Sequence, residues 1–188
     1  MKSFLRAAAA IALVGAPLAF SPAAHAAEWA VDHDASKLSF SVRHGDKIVS
    51  GSFSDWDAAI DFDPTKPEDA TIKVTVETRS VATDDGQMGK TLTGDAWLNS
   101  GGFAEATFAS DEIVPTGEGS YDAVGTLTIR GISMPMTLPF VLDIKGDKAH
   151  AKGGSTLQRL DYKIGAEIDA NTLDDVVKVD FELDATKK

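Results

Sequence analysis

The chain has no cysteine among its 188 residues. That absence excludes a disulfide framework, thiol catalysis, thiolate zinc sites and cysteine-held iron–sulfur clusters. It equally excludes a lipid anchor carried on an N-terminal Cys. Basic residues are scarce: 18 Lys and Arg stand against 29 Asp and Glu, for a formal charge of −11. Binding a phosphate backbone needs clustered Lys and Arg, so no nucleic-acid partner is expected. Catalytic signatures are missing too, with no Gly-x-Ser-x-Gly elbow, no His-Glu-x-x-His pair and no phosphate loop. Past residue 26 the histidines are His33, His44 and His150, which lack close metal-ligand spacing. Asp61-Phe62-Asp63 and Asp174-Asp175 lack the glycine and terminal glutamate of a calcium loop. Asp32-His33-Asp34 reads as a solvated turn. The expectation is a protein without catalytic residues, metal or cofactor.

Long apolar runs are confined to the N-terminus. Lys2 and Arg6 precede an almost unbroken apolar stretch, Ala7 to Phe20, and Ala24-His25-Ala26 ends it in a small-x-small cleavage pattern. The run is short of the ~20 residues that span a bilayer, and Gly15 and Pro17 weaken it as a membrane helix. Residues 1–26 therefore read as a cleaved secretory signal, leaving 27–188 as one domain. Loss of Lys2 and Arg6 takes the formal charge from −11 to −13. A secreted chain without cysteine suits a bacterial periplasm. No later segment reaches spanning length, so no stable membrane insertion is expected.

The remaining chain is dominated by alternation with period two. Trp56, Ala58, Ile60 and Phe62 alternate with polar or small neighbours, as do Ile72, Val74 and Val76. Met134, Met136, Leu138, Phe140, Leu142 and Ile144 form a third series, and Val177, Val179, Phe181 and Leu183 a fourth. Leu38-Phe40-Val42, Leu127-Ile129 and the stretch around Phe108 are weaker cases. A helical period cannot produce this pattern, whereas half-buried antiparallel strands do. Gly45-Asp46, Asp63-Pro64, Thr116 to Gly119 and Gly146-Asp147 supply turns between them. The exception lies near residues 86–98, where Met88, Leu92 and Ala96 recur every four residues behind a capping Asp84 or Asp85. Three glycines in that stretch each cost ~1 kcal/mol relative to Ala, so a short helical insertion held by packing is expected.

Many amphipathic strands with almost no helix must form a sandwich or close into a barrel. An eight-stranded barrel is either filled by its own side chains or just wide enough for one small ligand. Pro139 is expected to kink or bulge the long Met134–Ile144 strand.

A family resemblance narrows these alternatives. Trp29-x-Val31-Asp32, Ser36-x-Leu38-x-Phe40-x-Val42-x-His44 and Gly51-x-Phe53 resemble the opening of the YceI-like family of secreted bacterial lipid-binding proteins. Ser80-x-x-Thr83, Asp95-x-x-Leu98, Phe103 and Leu127 through Met136 follow in order, then Arg159-x-Asp161-Tyr162-x-Ile164-Gly165 and Asp175-x-Val177-x-Val179. One departure is visible, because Glu105-Ala106-Thr107-Phe108 stands where the family often carries a Tyr-Pro step. The resemblance implies an all-β fold, an extended lipocalin-like eight-stranded antiparallel β-barrel. It also implies a long-chain amphiphilic lipid inside, whether a polyisoprenoid, an isoprenoid quinone or a fatty-acid derivative, and no catalysis.

The candidate lipid-binding residues lie on the apolar faces. They are Phe40, Val42, Trp56, Ala58, Ile60, Phe62, Val74, Val76, Phe108, Leu127, Ile129, Met134, Met136, Leu138, Phe140 and Phe181. Ordinary core is the competing reading for each. Small and pliable members such as Ala58, Met134 and Met136 favour a tube, since Met adapts to irregular shapes. Trp97, Leu98 and Phe103 are candidates to cap the mouth, with the marginal helix as gate or plug. His44 and Arg159 are head-group candidates, set against a structural reading in which Arg159 pairs with Asp161 or another carboxylate. A carrier or sequestering role is the expectation. A stress-linked interaction protein with a filled barrel, quinone delivery to a membrane oxidoreductase and a homodimer all stay open.

Overall fold

The structure, a computed structural model, describes residues 27–188. The expected signal segment, 1–26, lies outside the described residues. Ten strands and one helix follow in order. They are β1 (Glu28–His44), β2 (Lys47–Phe53), β3 (Trp56–Asp61), β4 (Thr71–Glu77), β5 (Val81–Thr83), α1 (Gly86–Leu92), β6 (Glu105–Gly117), β7 (Ser120–Ile129), β8 (Ile132–Lys145), β9 (Lys148–Gln158) and β10 (Leu173–Lys187). Every pairing is antiparallel, and the sheet closes because β10 pairs with β1. The closed ring has eight strands, β1-β10-β9-β8-β7-β6-β4-β3. β2 and β5 attach as a flap beside the second half of β1. Among the described residues no helix is long and apolar enough to cross a membrane.

The alternation decides which side chains enter the barrel. On β3, Trp56 and Ala58 are buried while Asp57 and Ala59 are exposed, and β4 places Val74 opposite Ala58 and Val76 opposite Trp56. Trp29, Phe62, Tyr121, Phe140 and Leu183 belong to one buried apolar cluster. Two-residue hairpins need left-handed backbone, which Gly45, Gly119 and Gly146 supply at the sites read as turns. The β7–β8 turn is different, because Arg130 itself adopts φ 52° beside Gly131.

Two expectations change. The helix stops at Leu92 and does not reach 98. Asp85 caps its start, accepting from the Gln87 and Met88 amides at 2.9 and 3.4 Å. Beyond Leu92 the chain winds into turns about Gly94, whose carbonyl accepts from the amides of both Trp97 and Asn99. Three glycines within a few turns leave too little propensity to carry the helix further. Pro139, second, neither kinks nor bulges β8 on its β7 side, where the register runs unbroken from Ser120↔Val141 to Ile129↔Ile132.

Candidate functional site

The barrel is hollow. A cavity of about 290 Å³ runs through it, at the lower edge of the ~300–1,000 Å³ usual for small-molecule sites. On β10 the lining extends from Leu173 to Ala185. At ~3.3 Å per residue and a strand tilt near 40°, that is roughly 30 Å along the barrel axis. The site is thus long and narrow, a shape for an extended chain. Apart from the indoles, the polar lining residues are Thr78, Thr107, Ser155 and Arg159. The Thr78 hydroxyl already faces the Phe103 and Ala104 carbonyls at 2.9 Å, and the Ser155 hydroxyl donates to Thr137 O at 2.9 Å. What remains is a dry hydrocarbon surface, against which each buried CH₂ is worth ~0.8 kcal/mol.

Aromatic rings crowd toward one end. The Phe62 and Tyr121 rings meet edge to face at 5.3 Å, and Tyr121 stacks on Phe140 at 5.4 Å. Trp29 Nε1 donates to Phe62 O at 3.0 Å, joining β1 to this cluster. Tyr121 and the buried Ile113 lie beyond the lining. The other end is covered by two segments, 84–104 and 159–172. They are tied together by the Gly165 amide donating to Ala96 O at 2.7 Å. Arg130, on the β7–β8 turn, donates to Asp95 O of one and Lys163 O of the other. Trp97 lies across Gly165 and Tyr162 is buried beside it in sequence, where loss of hydration pushes its hydroxyl pKa up. Asp169 and Asp174 are held below the usual aspartate range. Asp169 accepts foremost from the Asn171 amide, and Asp174 foremost from the Val176 amide and then from Arg43.

The structure brings most candidate lipid-binding residues to one surface. Phe40, Val42, Trp56, Ala58, Ile60, Phe62, Val74 and Val76 line the cavity. Phe108, Leu127, Ile129, Met136, Leu138, Phe140 and Phe181 do so as well, and Trp97 and Leu98 line it from the covering segment. Met134 and Phe103 are not part of that surface. Met134 shares the inward face, opposite Leu127, but sits beyond the lining at the β7–β8 turn. Phe103 is 37% exposed, with its ring over Gly131.

The two head-group candidates have other surroundings. His44 is exposed at the end of β1 and does not reach the cavity. Arg159 is 1% exposed, and its five guanidinium N–H groups all go to backbone carbonyls. Nε donates to Asp174 O at 3.0 Å, Nη1 to Ile164 O and Gly165 O at 3.0 and 2.7 Å, and Nη2 to Ile168 O and Leu173 O at 2.8 and 2.7 Å. The expected carboxylate partner is replaced by carbonyls, and no donor is left for a ligand.

Sequence reasoning missed Ala149, Ala151, Ser155 and Leu157 of β9, which all line the cavity. The signal was present as alternation of small residues, Ala149-x-Ala151-x-Gly153-x-Ser155-x-Leu157. Leu92 and Ile164 also line it, from segments with no strand period to expose them, and Leu173 does so from the start of β10, ahead of the alternating series.

Comparison with known proteins agrees with this architecture. The YceI-like domain model matches residues 29–185. A UPF0312 protein of Shewanella oneidensis is 31% identical over 186 residues, covering 94% of this chain and 96% of the relative. The crystal structure of Burkholderia cenocepacia BcnA superposes with a TM-score of 0.80 at 27% identity, covering 84% of this chain and all of that one. A polyisoprenoid binding domain from Saccharophagus degradans, implicated in plant cell wall breakdown, gives a TM-score of 0.69. It covers 86% of this chain and 99% of its own, and at 16% identity the likeness concerns the fold alone.

Proposed function

The chain belongs to the YceI-like domain family, and from that premise we propose that it binds one long-chain amphiphilic lipid inside its barrel, with no chemistry of its own. The observation that carries this reading is the apolar cavity itself, which runs the length of β10 and whose lining polar groups on Trp29, Thr78, Ser155 and Arg159 are turned to protein carbonyls. Such a surface recognises the length and width of a hydrocarbon chain. A polyisoprenoid, an isoprenoid quinone or a fatty-acid derivative each meets that requirement, and a barrel of the same fold from Saccharophagus degradans is a polyisoprenoid binding domain. We further propose that residues 1–26 direct export and that the protein works in the periplasm, carrying or sequestering its lipid between membranes. The filled-barrel alternative required a barrel without an internal cavity, a condition this structure does not meet.

Native mass spectrometry, followed by organic extraction of the purified protein, tests the reading. A co-purifying amphiphile in about equimolar amount is the expected result. Failure to find one, together with no binding of isoprenoid or fatty-acyl probes by the stripped protein, refutes it. Ala58→Trp places an indole in the lumen and is expected to cut probe binding at least tenfold, with far-UV circular dichroism unchanged.

A further inference from the structure

The segments joined through Arg130 cover one end of the barrel, and the Phe62, Tyr121 and Phe140 rings crowd together toward the other. The wall differs. β8 keeps its register with β7 along ten consecutive pairs, but its register with β9 runs only from Lys145↔Lys148 to Phe140↔Gly153. From Pro139 back to Ile132, β8 has no ladder partner on its β9 side among the described residues, although β9 continues to Gln158 in register with β10.

The cause is written in the residues. The Leu142 amide donates to Gly119 O on the β7 side, so even-numbered amides of β8 face β7 and odd-numbered ones face β9. Two odd positions in the unpaired stretch are Pro135 and Pro139, which have no N–H to give. Between them the Thr137 carbonyl takes the Ser155 hydroxyl in place of a ladder bond. Gly153 and Gly154 mark the point of divergence. A Cβ at Gly153 would stand 2.3 Å from Pro139 O, and one at Gly154 would stand 2.5 Å from Val179 O. β9 therefore touches β8 at Gly153 and then stays with β10. Met136 and Leu138 face Ser155 and Leu157 across the unladdered gap, and all four line the cavity.

A second incomplete seam lies between β1 and β3, where the register covers Glu28↔Asp61 and Trp29↔Ile60. No residue from 30 to 37 lines the cavity there. His33 covers that seam from outside, its ring edge-on to Trp56 at 5.6 Å and its Nε2 3.4 Å from Asp57.

We infer that the lipid enters and leaves sideways, through the seam between β8 (132–139) and β9 (154–158). The inference rests on the lipid-binding reading above and adds the route. Parting these strands breaks one side-chain hydrogen bond, whereas parting β4 from β6 or β7 from β8 breaks a ladder of five or more pairs. The seam suits a ligand with a single hydrocarbon chain, which slides in between Met136, Leu138 and Leu157 with its polar end trailing in water.

Cysteine chemistry tests this without background, since the protein has no thiol. Thr137→Cys with Thr156→Cys places two outward thiols across the seam, to be joined by a short cleavable bismaleimide. Thr128→Cys with Ser133→Cys, where the native hydroxyls are 2.8 Å apart across the β7–β8 ladder, is the control. The readout is stopped-flow uptake of dansylamino-undecanoic acid by lipid-stripped protein. Linking 137 to 156 is expected to slow uptake at least tenfold, reversibly on cleavage, while the control link changes it less than twofold. Unchanged uptake in the linked protein, or equal slowing by the control, overturns the side route and leaves lipid binding intact. No uptake by the unlinked protein overturns both. Pro135→Thr with Pro139→Val restores the two missing amides and is expected to slow uptake at least threefold without any linker. Unchanged uptake in that variant, with the new cross-strand bonds visible by NMR, also counts against the route.

Discussion

Arg159 is a full charge held in the dry part of the molecule without a carboxylate partner. Its five donors meet carbonyls from the loop residues 164–168 and from 173–174 at the start of β10. Hydrogen bonds from a charged donor are roughly twice as strong as neutral ones, so a single side chain shapes the segment that covers one end of the barrel. Removing it strands buried carbonyls with no water to replace the donor. Arg159→Met is expected to cost about 3 kcal/mol or more in urea unfolding. Arg159→Lys keeps the charge but offers three donors in a different geometry, and is expected to recover less than half of that loss. Full recovery by lysine would mean that charge alone, and not the fan of five bonds, holds the loop.

At the scale of elements, strands with large alternating side chains were legible and those built from small ones were not. β3, β4, β8 and β10 carry mostly large apolar residues at every second position, and the structure turns most of each series to the cavity. β9 uses Ala, Gly and Ser on the same face, and at Gly153 the approach of β8 leaves no room for a Cβ. Small residues do not register as hydrophobic period, so its contribution to the lumen was hidden. The β7–β8 turn was hidden for another reason. Arg130 sits in a left-handed conformation that sequence assigns to Gly or Asn, held there by its two carbonyl contacts across the covering segments. The prolines of β8 were visible, but their effect fell on the missing β9 ladder and not on the strand's own path.

The helix belongs to the same scale. α1 has seven residues, too few to stand alone in water. It depends on the Asp85 cap and on packing against β5, where Gly89 is buried. Asp85→Ala is expected to cost about 1 kcal/mol, as for other N-caps. The loss should show as faster hydrogen exchange in 86–92, with the β6–β9 amides unaffected. Equal acceleration across the barrel would instead mean that the helix and the ring unfold as one unit.

For the molecule as a whole, the division of labour is between a charged outside and a hollow inside. Residues 27–188 carry a formal charge of −13, the −11 of the whole chain less Lys2 and Arg6, while a cavity of about 290 Å³ leaves its lining without contact partners on one side. The missing dispersion is a standing loss of stability that a bound chain restores. A ligand that binds only the folded state adds RT ln(1 + [L]/Kd), about 2.7 kcal/mol at a hundredfold excess over Kd. For a domain of this size each kcal/mol moves Tm by roughly 2–4 °C, so the loaded protein should melt about 5–10 °C above the stripped one. Differential scanning calorimetry on protein as purified, after extraction, and after reloading with a fatty-acyl or isoprenoid chain measures this directly. The gain should grow with chain length until the roughly 30 Å of lumen is filled, at ~0.8 kcal/mol per added CH₂, and then level off. A gain that did not depend on chain length would place the ligand on the surface and leave the hollow interior without a role.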